Sequence, residues 1–208
     1  MNFIHELLLQ FYAVDCNVLL FINGHHCFST DFFMYMVSDK MVWLPLYLFL
    51  FLYIGYSFGW RKAITSLVLI VLCLVLTDQI SSSFIRSAVC RMRPANPDNP
   101  LSAFIHTVND YHGGSYGFPS SHAANTAGLT FFCVFVLRRR WLSWVMVGWM
   151  MLVCYSRMYL GVHYPSDILA GWLLGFLCMQ SVRFAYIKVR DLNMTTRHLL
   201  PAFRCSVK

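Results

Sequence analysis

The 208-residue chain is 58% hydrophobic and only 12% charged, with a mean hydropathy of +0.57. Soluble domains carry about a quarter charged residues, so this composition excludes an ordinary soluble fold and points to a one-domain membrane protein. A net charge of +7 does not make a nucleic-acid-binding face here, because the basic residues fall in short clusters between apolar runs.

Residues 1–40 mix apolar positions (Phe3, Ile4, Leu7, Leu8, Phe11) with His5, Glu6, Gln10, Asp15 and Asn17. With no basic start, this is not a signal peptide. It reads as an interfacial amphipathic helix ending near Asn23-Gly24. A sixth span here is left open, because Val18 to Ile22 is strongly apolar. A spanning helix needs about 17–25 mostly apolar residues. Met41 to Trp60, Ala63 to Ile85, Ser120 to Leu137, Trp141 to Ser156 and Ile168 to Val182 supply five, within a transmembrane domain of residues 41–187. Residues 188–208 read as a basic cytoplasmic tail. The expected fold class is therefore all-α, a polytopic membrane helix bundle. Nothing in the sequence speaks to oligomeric state.

Orientation follows from Lys and Arg in short loops. Arg61-Lys62, the run Arg138 to Arg140 and the basic residues after the last span share one side, which is cytoplasmic. The loop from Arg86 to Pro119 and the turn from Arg157 to Asp167 lie opposite. Arginines on that side run against the charge rule, and binding an anion explains them. Eight cysteines show no metal-ligand spacing, and Cys73, Cys133, Cys154 and Cys178 lie inside apolar runs as small hydrophobes. No metal or cofactor is expected.

Three segments end on the extracytoplasmic side: Arg86 to Pro94, Phe118 to His122, and Ser156 to Asp167. Pro119 followed by Ser120 and Ser121 is a helix-start signal, and a helix N-terminus suits phosphate. Arg86, Arg93 and Arg157 can offer planar forks to the same phosphate. His163 and Asp167 are four apart, which lets the carboxylate fix the imidazole tautomer and leaves the other nitrogen as a nucleophile. His122, from another helix, can protonate a departing oxygen. Together these make a site for phosphoryl transfer in which arginines take the role a metal has in kinases.

The three segments resemble the signature of the type-2 phosphatidic acid phosphatase superfamily. That signature is a lysine followed after six residues by Arg-Pro, then Pro-Ser-Gly-His, then Ser-Arg with a histidine six and an aspartate ten residues beyond the arginine. The third part matches throughout, at Ser156, Arg157, His163 and Asp167. The first matches at Arg93-Pro94 but has Arg86 for lysine. The second matches at Pro119, Ser120 and His122 but has Ser121 for glycine, whose Cβ narrows the space for phosphate. The resemblance covers roughly Ala63 to Val182. It implies a phosphohistidine on His163, Asp167 orienting it, and His122 as the acid that later activates water. It also implies phosphate binding by Arg86, Arg93, Arg157 and Ser120, with the Ser121 backbone N–H still available.

Other polar residues carry plainer expectations. Arg91 reads as a lipid-headgroup anchor, and His25, His26, His106 and His112 as solvated surface. Asp78, two helical turns before Arg86, reads with Asn125 and Thr126 as contacts between helices, ahead of a supporting role at the site. The partners expected are the bilayer and a lipid substrate: lipid A, undecaprenyl diphosphate, phosphatidylglycerol phosphate or phosphatidic acid. Ala95 to Phe118 is the expected selector. A lipid phosphotransferase and a non-enzymatic lipid-binding or transport protein are the rival readings.

Overall fold

The computed structural model describes residues 2–204, with side chains described at 5–7 and 9–188. Helices α1 (Asn2–Gly24) and α2 (Phe28–Ser38) precede α3 (Leu44–Phe58) and α4 (Trp60–Gln79). Through a π turn at Ile80–Ile85, α4 runs on into the short α5 (Arg86–Val89). A loop then leads to α6 (Ser121–Phe132), a second π turn at Cys133–Leu137, α7 (Arg140–Tyr159) and α8 (Pro165–Arg204). Among the described residues there is no strand, only one isolated bridge between Met92 and Tyr116.

The boundaries follow local chemistry. Pro45 lies in the first turn of α3, and Gly59, at φ +93°, makes the turn into α4 that few side chains tolerate. Ser120 caps α6, its Oγ facing the Ala123 N–H. Pro165 opens α8, as expected from its sequence position. Residues 1–40 are laid on the membrane surface by the sequence reading, but His5–Gly24 has the length and apolarity to cross it. So do Met41–Phe58, Trp60–Val89 and Pro165–Lys188, while Ser121–Leu137 is a shorter apolar stretch. The backbone of α8 stays helical into the expected tail, whose side chains from 189 onward lie outside the described residues.

What places the site is the closeness of α6 and α8. Gly171 and Gly175 lie one turn apart on α8 against Ala123, Ala124, Ala127 and Gly128 of α6. A Cβ added at Gly171 would stand 2.7 Å from the Ser120 carbonyl oxygen and 2.8 Å from the Ala123 Cβ. Small residues at this spacing let helix backbones touch in a bilayer. The contact brings the α6 N-terminus to the start of α8, where the Ser120 N–H donates to the Asp167 carbonyl at 3.1 Å. Gly171→Val is expected to cost about 1–3 kcal/mol through overpacking, read as a lower thermal midpoint in detergent with activity lost in parallel. Gly148→Val is the neutral control, since nothing lies within 4 Å of a Cβ there.

On the other side, Leu19 of α1 packs with Ala95, Ile105 and Val108 of the loop and with Leu160, Val162 and Tyr164 of the α7–α8 turn. The loop is therefore fastened, not free. The buried Asn23 side chain donates to the Tyr159 and His106 carbonyls at 2.7 and 2.8 Å and accepts from the His106 N–H at 2.8 Å.

Candidate active site

His163 sits in the turn between α7 and α8 with no exposed surface, and Asp167 lies in the first turn of α8, equally buried. Asp167 Oδ2 accepts from the Tyr164 N–H at 3.0 Å, half of a capping box that sets the start of α8. The same oxygen lies 3.4 Å from His163 Nδ1, an ion-pair distance longer than a formed hydrogen bond. On the far side of the ring, Arg93 Nη1 donates toward Nε2 at 3.3 Å. Since a guanidinium only donates, Nε2 is the acceptor here and the ring proton faces Asp167. Burial, then the Arg93, Arg157 and Arg86 charges, hold the His163 pKa well below its usual value, so the ring is neutral at neutral pH.

The loop is shaped to this pair. Arg93 Nε donates to the Tyr116 carbonyl at 3.1 Å, and the Asn99 side chain donates to the Arg93 carbonyl at 3.0 Å and to the Tyr164 hydroxyl at 3.1 Å. A Cβ at Gly117 would come within 3.1 Å of Arg93 Cγ and 3.2 Å of Asp167 Oδ2, so a side chain where the loop crosses the pair would press on both. Burial, then the Arg157 and Arg86 charges, push the Arg93 pKa down to about 10.

Arg157 is buried and donates to the Ser38 hydroxyl and, at 3.1 Å, to the Tyr111 hydroxyl. Arg86 donates to Ser121 Oγ at 2.8 Å, and Ser121 Oγ also meets Ser81 Oγ at 2.9 Å. The Nε groups of Arg86 and Arg157 are buried without an acceptor among the described residues. These N–H groups, with Arg93 between two other cations, suit an anion with several oxygens.

The expected residues do not all behave alike. Arg86, Arg93, Arg157, His163 and Asp167 come together. Ser120 is present but fully buried, its Oγ used as a helix cap. Ser121 directs its hydroxyl to Arg86 and to Ser81 of the π turn. His122 faces two cavities. One, of about 560 Å³, is lined by Ser38, Lys40, Tyr111, Arg157 and His122. The other, of about 370 Å³, shares Ser38, Lys40 and His122 and runs among Tyr47, Leu50, Ile70, Leu129 and Trp149. Asn125 donates to Asp78 at 3.1 Å and accepts from Thr77, which ties α4 to α6. Asp78 also lies near enough for its charge to act on Arg86.

Two expectations are overturned. Arg91 is not a headgroup anchor: its guanidinium pairs with Asp167 at 2.7 Å and Asp15 at 2.6 Å. His106 is not simply solvated, because its half-buried ring stacks on His26 at 3.7 Å and pairs with Asp31 at 2.9 Å, whereas His25 and His26 are exposed as expected. His112 is pinned as well, between the Ala95 carbonyl at 2.6 Å and Asp110 at 2.9 Å. Asp15, Ser38, Lys40, Asn99, Tyr111 and Gly117 were not singled out by the sequence reading for the site. Only Asp15, a carboxylate inside an apolar helix, carried a signal that could have found it.

The PAP2 superfamily profile matches residues 66–190. A lipid A 4'-phosphatase of Bacteroides thetaiotaomicron is 41% identical over 162 residues, which is 78% of this chain and 72% of that protein. Another, of Porphyromonas gingivalis, is 30% identical over 178 residues, 86% of this chain and 75% of that one. Among solved structures, Aquifex aeolicus LpxE superposes with a TM-score of 0.61 at 20% identity, covering 80% of this chain and 92% of that one. At that identity the likeness speaks to the fold.

Proposed function

The chain belongs to the PAP2 superfamily, and from that premise we propose that it is a metal-independent lipid phosphatase of the bacterial inner membrane, acting at the extracytoplasmic face. The observation that carries the lipid reading is the position of His122 where the polar cavity beside Arg157 meets the apolar one among α3, α4, α6 and α7. An amphiphile needs both, one for its headgroup and one for its tail.

In this reading His163 Nε2 attacks phosphorus, and a bond to nitrogen forms as the bond to the lipid oxygen breaks. Asp167 steadies the charge that grows on the ring. Arg86, Arg93 and Arg157 hold the equatorial oxygens, and His122 gives its proton to the departing lipid oxygen. His122 then takes a proton from water, whose oxygen displaces His163 and releases phosphate. The guanidiniums supply the positive charge that Mg²⁺ gives elsewhere.

The described contacts favour six crossings over five. Asn23, at the end of α1, bonds the loop that covers the site. With α1 crossing, for which His5–Gly24 has the length and apolarity, its start lies on the side of Arg61-Lys62, the cytoplasmic side in this reading.

Lipid A is the substrate proposed, because two relatives matched over most of their length bear the name lipid A 4'-phosphatase. The test is release of phosphate in detergent from bisphosphorylated lipid A, undecaprenyl diphosphate, phosphatidylglycerol phosphate and phosphatidic acid. Lipid A should react fastest by at least about tenfold, lose its 4' phosphate by mass spectrometry, and keep its rate in EDTA. A faster diphosphate substrate would overturn the lipid assignment, and loss of activity in EDTA the metal-free site. Phosphate appearing on a second lipid in place of free phosphate would establish the phosphotransferase reading instead.

A further inference from the structure

We propose that Arg91 and Asp15 form a positioning pair that holds Asp167 against His163, so that the N-terminal helix completes the active site. The inference rests on His163 being the nucleophile. Asp15 lies outside residues 66–190, the part of the chain matched by the family profile.

Arg91 Nη1 donates to Asp167 Oδ1 at 2.7 Å and to Ser166 Oγ at 2.6 Å, while Nη2 donates to Asp15 Oδ2 at 2.6 Å. Its guanidinium carbon lies 3.9 Å from the centre of the Tyr164 ring. Asp15 in turn accepts the Ser166 N–H at 2.8 Å and the Ser166 hydroxyl. One carboxylate from α1 therefore fixes both the first turn of α8 and the cation that grips Asp167.

The division of labour on Asp167 is clear from its two oxygens. Oδ2 serves the Tyr164 N–H and faces His163, and Oδ1 is left for Arg91. A carboxylate this deeply buried keeps its charge only with well-placed partners. Arg93 is engaged at His163 Nε2 and Arg86 at Ser121, so neither substitutes. Arg91 differs from Arg86, Arg93 and Arg157 in that its guanidinium is paired with two carboxylates, Asp15 and Asp167, and its charge is already met. The pair also explains Asp15: a lone carboxylate in an apolar helix is costly, and here it has a cation and two donors.

The charged and titratable groups around the Asp167–His163 pair are Asp15 and Cys16 of α1, Arg86 of α5, Arg91 and Arg93 of the loop, His122 of α6, Arg157 of α7 and Tyr164 of the turn. The Asp167–His163 pair takes up one proton on acidification and then cannot attack. Removing the Arg91 charge makes that uptake easier, so the acid limb of the rate profile moves to higher pH. Removing the Asp15 charge has the opposite electrostatic sign.

The test uses the full chain in detergent, with bisphosphorylated lipid A as the probe and kcat and KM followed from about pH 4 to 9. Partners standing behind a working histidine are worth about 10- to 100-fold in metal sites. Arg91→Gln should lose kcat in that range, change KM by less than about threefold, and shift the acid limb upward by about one unit. Arg91→Lys should keep the limb in place and recover part of kcat. Asp15→Asn should lose about tenfold in kcat without an upward shift. Should Arg91→Gln not fold, Asp15→Asn carries the decision: a kcat lowered about tenfold with the acid limb not moved upward supports the proposal, and a wild-type kcat or an upward shift overturns it. An Arg91→Gln profile that superimposes on wild type overturns the proposal, as does a loss that tracks thermal stability with the limb unmoved. Rapid quenching of wild type with 32P-labelled lipid A separates the two levels. No label on His163 sinks the nucleophile reading, whereas label with unaffected Arg91 and Asp15 variants sinks this inference alone.

Discussion

His163→Ala is expected to lower kcat by at least about ten-thousand-fold, the scale on which loss of an enzymatic nucleophile is measured. No neighbour can take over. Ser120 Oγ is turned to the Ala123 N–H, and Ser121 Oγ is held by Arg86 and Ser81. His122 stands on another helix, at the edge of the cavities. The fold should survive the change, since Asp167 keeps Arg91 and the Tyr164 N–H as partners. A thermal midpoint close to wild type therefore accompanies the lost rate. The neutral state of buried His163 adds a sign to this: its pKa lies below the usual histidine value, so wild-type activity should not fall as pH drops from 8 to 7, where an unperturbed histidine begins to titrate. Phosphate release by His163→Ala within about tenfold of wild type would remove this residue from the mechanism.

The parts of the molecule legible in the sequence were those whose chemistry is local. Pro119 with two serines marks a helix start, Ser-Arg to Asp marks a turn, and apolar runs mark the helices. The less legible parts depend on which helices touch. Arg91 looked like a surface anchor because its partners are 76 residues away in each direction, at Asp15 and Asp167. Gly171 and Gly175 become informative only once α6 is known to face them. The two departures from the family signature looked independent, one in each of two motifs. In the structure Arg86 and Ser121 bond each other at 2.8 Å. The serine in place of glycine has its hydroxyl held by the arginine in place of lysine and by Ser81 of the π turn. The π turn just before Arg86 belongs to the same category: its wider winding rotates the residues beyond it, Arg86 first, and apolar periodicity does not reveal it.

Arg93→Ala should cost about a thousandfold in kcat/KM, the upper range for removing one charge-stabilising donor. Of the three arginines at the site it is the one whose guanidinium touches His163, and its neighbours hold it closely. Tyr116 holds its Nε and Asn99 its carbonyl, and a Cβ on Gly113 would stand 2.8 Å from its Nη1. Arg93→Lys keeps a charge but loses the fork and the tie to Tyr116, so it should fall between alanine and wild type. The same residue gives a binding test that needs no turnover. Its pKa, pushed down to about 10 by burial and by Arg157 and Arg86, lies below the unfolded value, so folding disfavours its charge at neutral pH. That penalty is present below about pH 10 and is relieved above it. Inorganic phosphate placed among the arginines offsets the repulsion, and should raise the thermal midpoint of wild type at neutral pH by mass action. Arg93→Ala has less repulsion to relieve and one fork fewer to offer, so phosphate should shift its midpoint less. An equal shift in both proteins would mean that phosphate binds elsewhere, and Arg93 would then lose its place among the residues that hold the transferred group.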